Sequence, residues 1–366
     1  MARNKLIART ILFPLSILYG IGVRTRNLMF RWGLLKRRTF SVPVIVVGNI
    51  SVGGTGKTPH TEYIISLLKL TRHVGVLSRG YGRKTKGFIQ VTKNSTPRDV
   101  GDEPYQMFRK YGEGTMFAVC ENRVKGIEEM LRLDPDIDVI VLDDAYQHRY
   151  VKPSLSVVLT EFNRPFFLDH LLPYGRLREP VSAIDNADVV IVTKCPDHIK
   201  PLEQRIFKTN LKLYPYQQLY FSRFVYRQPI PLFPEDTNYN PTLEYLSPDD
   251  SILSISGIAN PRPFVMYLRR FKAKVKVKLF PDHHEFTKKD LKLIENKFDA
   301  MKGCNRLIIT TEKDAVRLIN NPYFPPRLRK YIYYLPIAVK VEPRDGGTFD
   351  ELILKNVPRR KSKPVN

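Results

Sequence analysis

Short apolar runs alternate with helix-like segments through the first half of the chain. The runs lie at 42–47, 74–77, 116–120, 138–142, 155–159 and 189–192. Continuous apolar runs of this length are typical of strands in a parallel sheet that is covered on both faces. After the first run, apolar residues recur at helical spacing at Tyr63, Ile64, Leu67 and Leu68. We therefore predict an α/β fold with a mostly parallel sheet flanked by helices.

The pattern changes at about residue 213, where Tyr and Pro become frequent and the periodicity weakens. A smaller α/β unit follows, with strands predicted at 252–255, 275–280 and 307–310. Its helices are predicted at 264–271 and 314–319, and a further helix begins after Thr287, which can cap its first turn. The predicted parts are an N-terminal helix at 1–35, a core at 36–212, a connector or short β-ribbon at 213–250, a C-terminal α/β domain at 251–345 and a basic tail at 346–366, disordered around 359–363.

The segment 11–23 is apolar except for Pro14, Ser16 and its glycines. It is shorter than the ~20 residues that a membrane-spanning helix needs. A signal peptide would need small residues at a cleavage site, whereas Arg24 and Arg26 follow here. Positive charge on both flanks also opposes translocation. We expect a helix that lies in, or dips into, the cytoplasmic face of a membrane, with a soluble helix packed on the protein as the alternative.

The charge balance is strongly basic. The chain has 60 Lys and Arg against 36 Asp and Glu, a formal net charge of +24. Nine of the basic residues lie in the first 40 residues, which contain no acidic residue. Such an excess attracts nucleic acid, an anionic membrane or a phosphorylated ligand, and composition alone does not choose among them. The cysteines Cys120, Cys195 and Cys304 show no pattern of a disulfide framework or a zinc site, which favours a reducing cytosol.

A glycine-rich segment lies between the first apolar run and its helix. Its glycines allow successive backbone N–H groups to converge on a phosphate, and the helix N-terminus adds partial positive charge. In this pattern Lys57 reaches the β- and γ-phosphates, and Thr58 offers its hydroxyl to Mg²⁺. We assign phosphate binding to Ser51, Val52, Gly53, Gly54, Thr55, Gly56, Lys57 and Thr58. Ser51 departs from the usual first Gly, but the strand–loop–helix context is the expected one.

Two carboxylates, Asp143 and Asp144, come directly after the apolar run at 139–142. A nucleotide site of this kind needs a carboxylate at the end of a second buried strand to hold its metal ion. We therefore predict that Thr58, Asp143 and Asp144 form the metal site. Strand-end carboxylates that simply cap a following helix are the alternative.

Several uncommon motifs occur in a fixed order along the chain. They lie at 48–59 (GNISVGGTGKTP), 77–83 (LSRGYGR), 101–104 (GDEP), 142–148 (LDDAYQH), 175–180 (GRLREP), 256–261 (SGIANP), 280–284 (FPDHH) and 310–314 (TTEKD). In this order they resemble the tetraacyldisaccharide 4′-kinases (lipid A 4′-kinases), over about residues 12 to 345. Two mild departures are Ala145-Tyr146, where Gly-Phe is more usual, and Glu161, where Asp is more usual.

The resemblance implies phosphorylation, dependent on ATP and Mg²⁺, of the 4′-hydroxyl of the lipid A disaccharide 1-phosphate precursor. It places the enzyme at the cytoplasmic side of the inner membrane of a Gram-negative bacterium, as a peripheral protein. By the same resemblance Asp102 matches the catalytic base and His283 the histidine paired with it. His148 and Glu179 match further active-site positions. We infer no obligate protein partner.

Asp102 and His283 lie in different predicted domains, so we hypothesise that domain closure assembles the pair. A carboxylate that accepts the hydroxyl proton is what phosphoryl transfer to an alcohol requires. Arg79, Arg83 and Arg123 follow predicted strand ends, where ligands bind in open α/β sheets. Their two possible roles, binding a phosphate or being solvated surface charges, stay equally open.

Two other functions compete with this interpretation. The loop also resembles that of partitioning and chaperone-type P-loop ATPases, which hydrolyse ATP to switch partners. Those usually carry an additional Lys early in the loop, where this chain has Ser51-Val52-Gly53. Nucleic-acid binding is suggested by charge alone, with no zinc-finger or RNA-recognition signature, and we predict no nucleic-acid partner.

Overall fold

The structure is a computed structural model that describes residues 8–237, 239–344 and 347–358. Its strands, in chain order, are β1 (Val44–Asn49), β2 (Val74–Ser78), β3 (Ile89–Gln90), β4 (Thr115–Val119), β5 (Val139–Asp143), β6 (Leu155–Glu161), β7 (Val189–Thr193), β8 (Gln218–Tyr226), β9 (Ile230–Pro231), β10 (Ser251–Ser256), β11 (Lys274–Leu279), β12 (Arg306–Thr311), β13 (Ile332–Leu335) and β14 (Ile337–Val341).

Its α-helices are α1 (Phe13–Arg31), α2 (Lys57–Leu68), α3 (Pro97–Val100), α4 (Asp102–Tyr111), α5 (Arg123–Leu133), α6 (Pro201–Leu211), α7 (Arg262–Leu268), α8 (Lys288–Asp299), α9 (Glu312–Ile319) and α10 (Phe349–Asn356). A helical segment at Ala8–Leu12 leads into α1. As predicted, Thr287 caps its helix, since its hydroxyl accepts a hydrogen bond from the backbone N–H of Asp290.

The first sheet has the strand order β14-β8-β7-β6-β1-β5-β2-β4-β3 among the described residues. Its centre is parallel, and only the pairings of β3 and β14 are antiparallel. Strand β1 lies between β5 and β6, in register Val47 with Asp143 and Asn49 with Leu159. Because β1 and β5 run in parallel, the phosphate loop after β1 and the carboxylates after β5 meet at one sheet edge. This confirms the predicted fold class.

Apolar side chains cover both faces of this sheet. Alternate residues of β1 point to opposite faces, so that Ile45 and Val47 pack with Ile64 and Leu68 of α2, while Val46 packs on the other face. The second sheet, in the order β11-β10-β12-β13-β9, is likewise covered on both faces. Burial of this apolar surface is the main stabilising contribution in each layer.

Two parts of the predicted organisation need correction. Residues 213–250 contain β8, a nine-residue strand of the first sheet, and are not simply a connector or ribbon. The chain also returns to the first sheet after the second one. Strand β14 pairs with β8, and Phe349 and Ile353 of α10 are buried against the same cluster as β1, inside the predicted tail. The basic stretch at 359–363 lies outside the described residues.

Helix α1 packs with one side on the loop at 171–179. The Ser16 hydroxyl donates to the Leu171 carbonyl (2.8 Å), and the Tyr19 hydroxyl donates to the Arg178 carbonyl (2.9 Å). The other side leaves Leu18 65%, Ile21 54% and Ile17 49% exposed. In the part of the chain that the structure describes, no helix combines the length and the apolarity required to cross a bilayer.

Candidate active site

The phosphate loop is held by buried polar contacts. The Asn49 side chain, at the end of β1, donates to the Thr55 hydroxyl (2.8 Å), and the Thr193 hydroxyl at the end of β7 donates to the Thr55 carbonyl (2.8 Å). Gly56 has φ +91°, and a Cβ there would lie 2.6 Å from the Phe224 ring. Glycine is therefore required where the loop turns into α2.

His60, on α2, contacts both the backbone of the phosphate loop and strand β8. Its Nδ1 lies 2.7 Å from the Gly56 carbonyl and its Nε2 2.8 Å from the Ser222 hydroxyl. Burial lowers the pKa of His60 to about 4, so the ring is neutral. A carbonyl can only accept, so Nδ1 carries the proton and Nε2 accepts from Ser222.

The two carboxylates after β5 have different environments. Asp143 is buried and accepts a hydrogen bond from the Thr61 hydroxyl (2.9 Å). Burial, together with repulsion from Asp144, raises the pKa of Asp143 to about 6. Burial alone would also raise the pKa of Asp144, but Lys57 at 3.6 Å and Arg178 at 3.0 Å hold it below its ordinary range. Asp144 is thus paired with the loop lysine, whereas Asp143 makes no ion pair within 4 Å among the described residues.

Asp144 also has φ +44°, a left-handed backbone conformation that non-glycine residues seldom adopt. Arg123 is buried beside it and donates to its backbone carbonyl (3.3 Å). Burial lowers the pKa of Arg123 to about 10. The structure therefore brings Arg123 to the carboxylates, whereas the predicted Arg79 is exposed.

His148 and Glu179 lie on the side of the site that faces α1. Burial, and to a smaller extent the positive charges of Arg123 and Arg79, lower the pKa of His148 to about 4. A cavity of about 610 Å³ opens beside His148, with Lys36 and Arg38 in its wall.

The Glu179 carboxylate is 1% exposed. It accepts hydrogen bonds from Arg26 and, at 2.9 Å, from Asn27, both on α1. Its side chain therefore joins the site to the N-terminal helix.

Asp102, in the domain of the first sheet, contacts His283, in the domain of the second sheet. Asp102 opens α4, and its Oδ2 is 3.5 Å from Nδ1 of His283. His283 has φ +58° and is, with Asp144, the second non-glycine candidate residue with a left-handed backbone conformation among the described residues. Lys313 Nζ lies 2.9 Å from His283 Nε2. Nδ1 lies 3.0 Å from Nη2 of Arg317 on α9, a second donor, and a neutral imidazole can accept a hydrogen bond at only one of its two nitrogens.

An ionic triad of one lysine and two glutamates joins α2, α4 and α9. Lys110 of α4 contacts Glu62 of α2 (2.5 Å) and Glu312 of α9 (2.7 Å). Burial and the second carboxylate raise the pKa of Glu62 to about 7. The Lys110 ammonium group therefore joins three helices: α2, which follows the phosphate loop, α4, which begins with Asp102, and α9, which contains Lys313.

Comparison with known proteins decides the family. The family model of the tetraacyldisaccharide-1-P 4′-kinases matches residues 8–357. This chain belongs to that family. A tetraacyldisaccharide 4′-kinase of Bacteroides thetaiotaomicron is 47% identical, over 94% of this chain and 92% of the relative. One from Porphyromonas gingivalis is 43% identical, over 95% and 97%. The crystal structure of LpxK from Aquifex aeolicus in complex with ATP has 27% identity and a TM-score of 0.73, covering 98% of this chain and all of that one.

Membership of the 4′-kinase family confirms the resemblance inferred from the motifs. Sequence reasoning missed Arg178, Lys313 and Arg317 as site residues. Arg178 and Lys313 lie inside the motifs at 175–180 and 310–314, which was the available signal. Arg317 lies one helical turn after Lys313, outside any motif that we singled out.

Proposed function

We propose that this chain transfers the γ-phosphate of ATP to the 4′-hydroxyl of the acylated disaccharide 1-phosphate precursor of lipid A. One observation carries the proposal: in a member of this kinase family, a phosphate loop, a strand-end carboxylate pair and an Asp–His pair occupy neighbouring helix and strand ends. Helix α4, which begins with Asp102, is hydrogen-bonded to α2 through Gln106 and Glu62 (2.9 Å), and Thr61 of α2 donates to Asp143. A switch ATPase would have no use for such a base.

Asp102 accepts the proton of the 4′-hydroxyl while the hydroxyl oxygen forms a bond to the γ-phosphorus. At the same time the bond between the γ-phosphorus and the β–γ bridging oxygen breaks. ADP leaves with the electron pair of that bond. Lys57 and the loop N–H groups stabilise the charge that develops on the phosphates. The positive Arg123 and Arg178 lie beside Asp144 and offset negative charge on the same side.

The donor set fits Mg²⁺. Thr58, Asp143 and Asp144 offer oxygen ligands, which this ion prefers, and it commonly uses one or two carboxylates with substrate phosphates and water. When bound, Mg²⁺ neutralises the phosphate charge and orients the phosphates. Asp143 makes no ion pair within 4 Å among the described residues, and such an ion would supply a close positive charge.

We further propose that α1 rests on the cytoplasmic face of the inner membrane. Its exposed apolar residues would insert at the interface, while Arg24, Arg31 and Lys36 attract anionic headgroups. The cavity beside His148 opens near the end of this helix and is lined by cationic Lys36 and Arg38 and by acidic Glu121, and the excess of positive charge suits a phosphorylated glycolipid.

The test is direct transfer. Purified protein is incubated with Mg-ATP labelled on the γ-phosphate and the disaccharide 1-phosphate lipid, beside an Asp102→Asn variant that keeps the size of the side chain. We expect labelled bisphosphorylated lipid from the wild type and a much lower rate from the variant. ATP hydrolysis with no labelled lipid would instead favour the switch ATPase.

A further inference from the structure

Arg317, on α9 of the second domain, contacts both members of the Asp–His pair. Its Nε donates to Asp102 Oδ2 (3.0 Å), and its Nη2 contacts the same oxygen. Nη2 also lies 3.0 Å from Nδ1 of His283. The side chain is only 8% exposed. A planar guanidinium holds two contacts at fixed relative angles, whereas an ammonium on a flexible stem can make two contacts without fixing their relative direction.

Arg317 is itself held by the second sheet. Its Nη1 lies 3.4 Å from Oδ1 of Asp314, which is fully buried. The other oxygen of Asp314 accepts from the backbone N–H of Gly257, just after β10 (2.9 Å), and from the hydroxyl of Thr311 at the end of β12 (2.6 Å). A continuous set of hydrogen bonds therefore runs from two strand ends of the second sheet to the carboxylate on α4 in the first domain.

The contacts divide the Asp102 carboxylate into two unlike oxygens. Oδ2 faces Arg317 and His283. No hydrogen bond to Oδ1 is found among the described residues, so Oδ1 is the oxygen free to accept a proton. A carboxylate fixed at one oxygen loses rotational freedom before the reaction, which is how a supporting residue lowers an activation barrier.

We propose that Arg317 is a positioning residue of the kinase: it fixes Asp102 through Oδ2, sets His283 against the same oxygen, and does so only when the second domain is docked. This inference rests on the proposed function. It assigns Arg317 no contact with the lipid or with ATP, so its effect on the rate must pass through Asp102.

A double-mutant cycle tests that requirement. Single-turnover transfer of labelled phosphate to the lipid is measured for the wild type, Arg317→Met, Asp102→Asn and the double variant. We expect Arg317→Met to lower kcat about 10- to 100-fold, the usual cost of losing a residue that orients an active-site group, with KM for ATP unchanged. In the Asp102→Asn background the same substitution should change kcat by less than about twofold, because its target is already lost. An equal loss in both backgrounds would overturn the inference.

A matched control separates positioning from packing between the same two helices. Asn320 of α9 donates to the hydroxyl of Tyr105 on α4 (3.0 Å) and touches neither Asp102 nor His283. Asn320→Ala should keep kcat within about twofold, since surface contacts of this kind contribute little. If it lowers kcat as much as Arg317→Met does, helix packing explains the loss and the inference is wrong.

Arg317→Lys keeps the charge and protects the test if the Met variant does not fold. We expect partial rescue, with kcat between those of the wild type and Arg317→Met, and the same cycle with Asp102→Asn applies. Full wild-type activity of Arg317→Lys would mean that charge alone suffices and would overturn the bridging role. If the wild type itself labels no lipid, the proposed function fails, and this outcome is distinct from an additive cycle in an active enzyme.

Discussion

The half of the proposed site that would bind phosphate and the half that carries the proposed base are built differently. The first is continuous in sequence and lies in one domain: Asn49, Thr55 and His60 hold the loop through contacts within and beneath it. The second joins Asp102 to His283 and Arg317, and the last two belong to the other domain. One half is therefore preformed, whereas the other exists only while two domains touch.

This difference separates two kinds of contribution to catalysis. We expect the loop to bind nucleotide without direct help from His283 or Arg317 of the second domain. In the proposed mechanism the base held across the interface becomes competent only on docking, so we expect that ATP binding and transfer can be disturbed independently. Substitutions in the two halves should therefore have distinguishable kinetic signatures.

The largest effect is expected in the preformed half. Lys57→Met should lower kcat/KM about 10³-fold, because it removes a preorganised charge on the phosphates. It also leaves Asp144 with Arg178 as its remaining ion-pair partner. Labelled transfer and binding of a fluorescent ATP analogue should both weaken. Lys208→Met, on the exposed surface of α6, is the control. Wild-type binding and rate in Lys57→Met would contradict the assignment of the loop.

The base-bearing half should respond in kcat alone. His283→Ala is expected to lower kcat about 10- to 100-fold, with KM for ATP within about twofold of the wild type, because the histidine orients a base and touches no phosphate in the proposed mechanism. His284→Ala is a matched control, since its ring bonds Asp290 within the second domain (2.9 Å). An unchanged rate at saturating substrates in His283→Ala would remove the histidine from the mechanism.

A third set of substitutions leaves both halves intact and tests delivery of the lipid. Replacing Ile17, Leu18 and Ile21 by Gln removes apolar surface from the exposed side of α1. We expect at least a tenfold loss of binding to anionic vesicles, since burial of each such side chain contributes roughly 1–2 kcal/mol. ATP-analogue binding should not change.

Leu202→Gln with Ile206→Gln, an exposed apolar pair on α6, is the control for the α1 substitutions. Vesicle binding by the α1 variant equal to that of this control would show that α1 is not the anchor.

The smallest effect concerns the triad that ties the halves together. The pKa of Glu62 is about 7 in the folded protein against an ordinary value of 4.5, so the folded state binds the proton more tightly. Its contribution to the free energy of unfolding is present below pH 4.5 and is lost as the pH rises to about 7, by up to about 1.4 kcal/mol per pH unit.

Glu62→Gln should flatten this decline in denaturant melts taken between pH 4.5 and 7. Glu129→Gln, which removes a surface carboxylate paired with Arg132, should leave it in place. The same slope in Glu62→Gln and the wild type would mean that Glu62 titrates normally.

The same contrast explains what the sequence could predict. The loop at 51–58, Asp143 and Asp144 were predictable because local spacing and strand polarity determine where they meet. Asp102 and His283 were found only through a family resemblance. Arg317 was missed because its contact with Asp102 spans 215 residues of chain and depends on how two domains dock.

The fold was missed in places for related reasons. Strand β8 has only partly buried residues near its end, such as Arg223 and Val225, so it lacks the continuous apolar run of the central strands. Strand β14 includes exposed Lys340 and pairs at the sheet edge with β8. Edge pairing with distant residues leaves little periodicity to detect.

The return of the chain to the first sheet sets the order in which the molecule is completed. Strand β14 and α10 are among the last described residues to be synthesised, yet Phe349 stacks on Tyr63 of the helix that begins with Lys57. Until they emerge from the ribosome, β8 is an open edge and part of the apolar face beneath the phosphate loop is uncovered. The proposed nucleotide site is therefore completed by residues that lie far downstream of its loop, so a nascent or truncated chain without β14 and α10 carries the complete motif on an incomplete support.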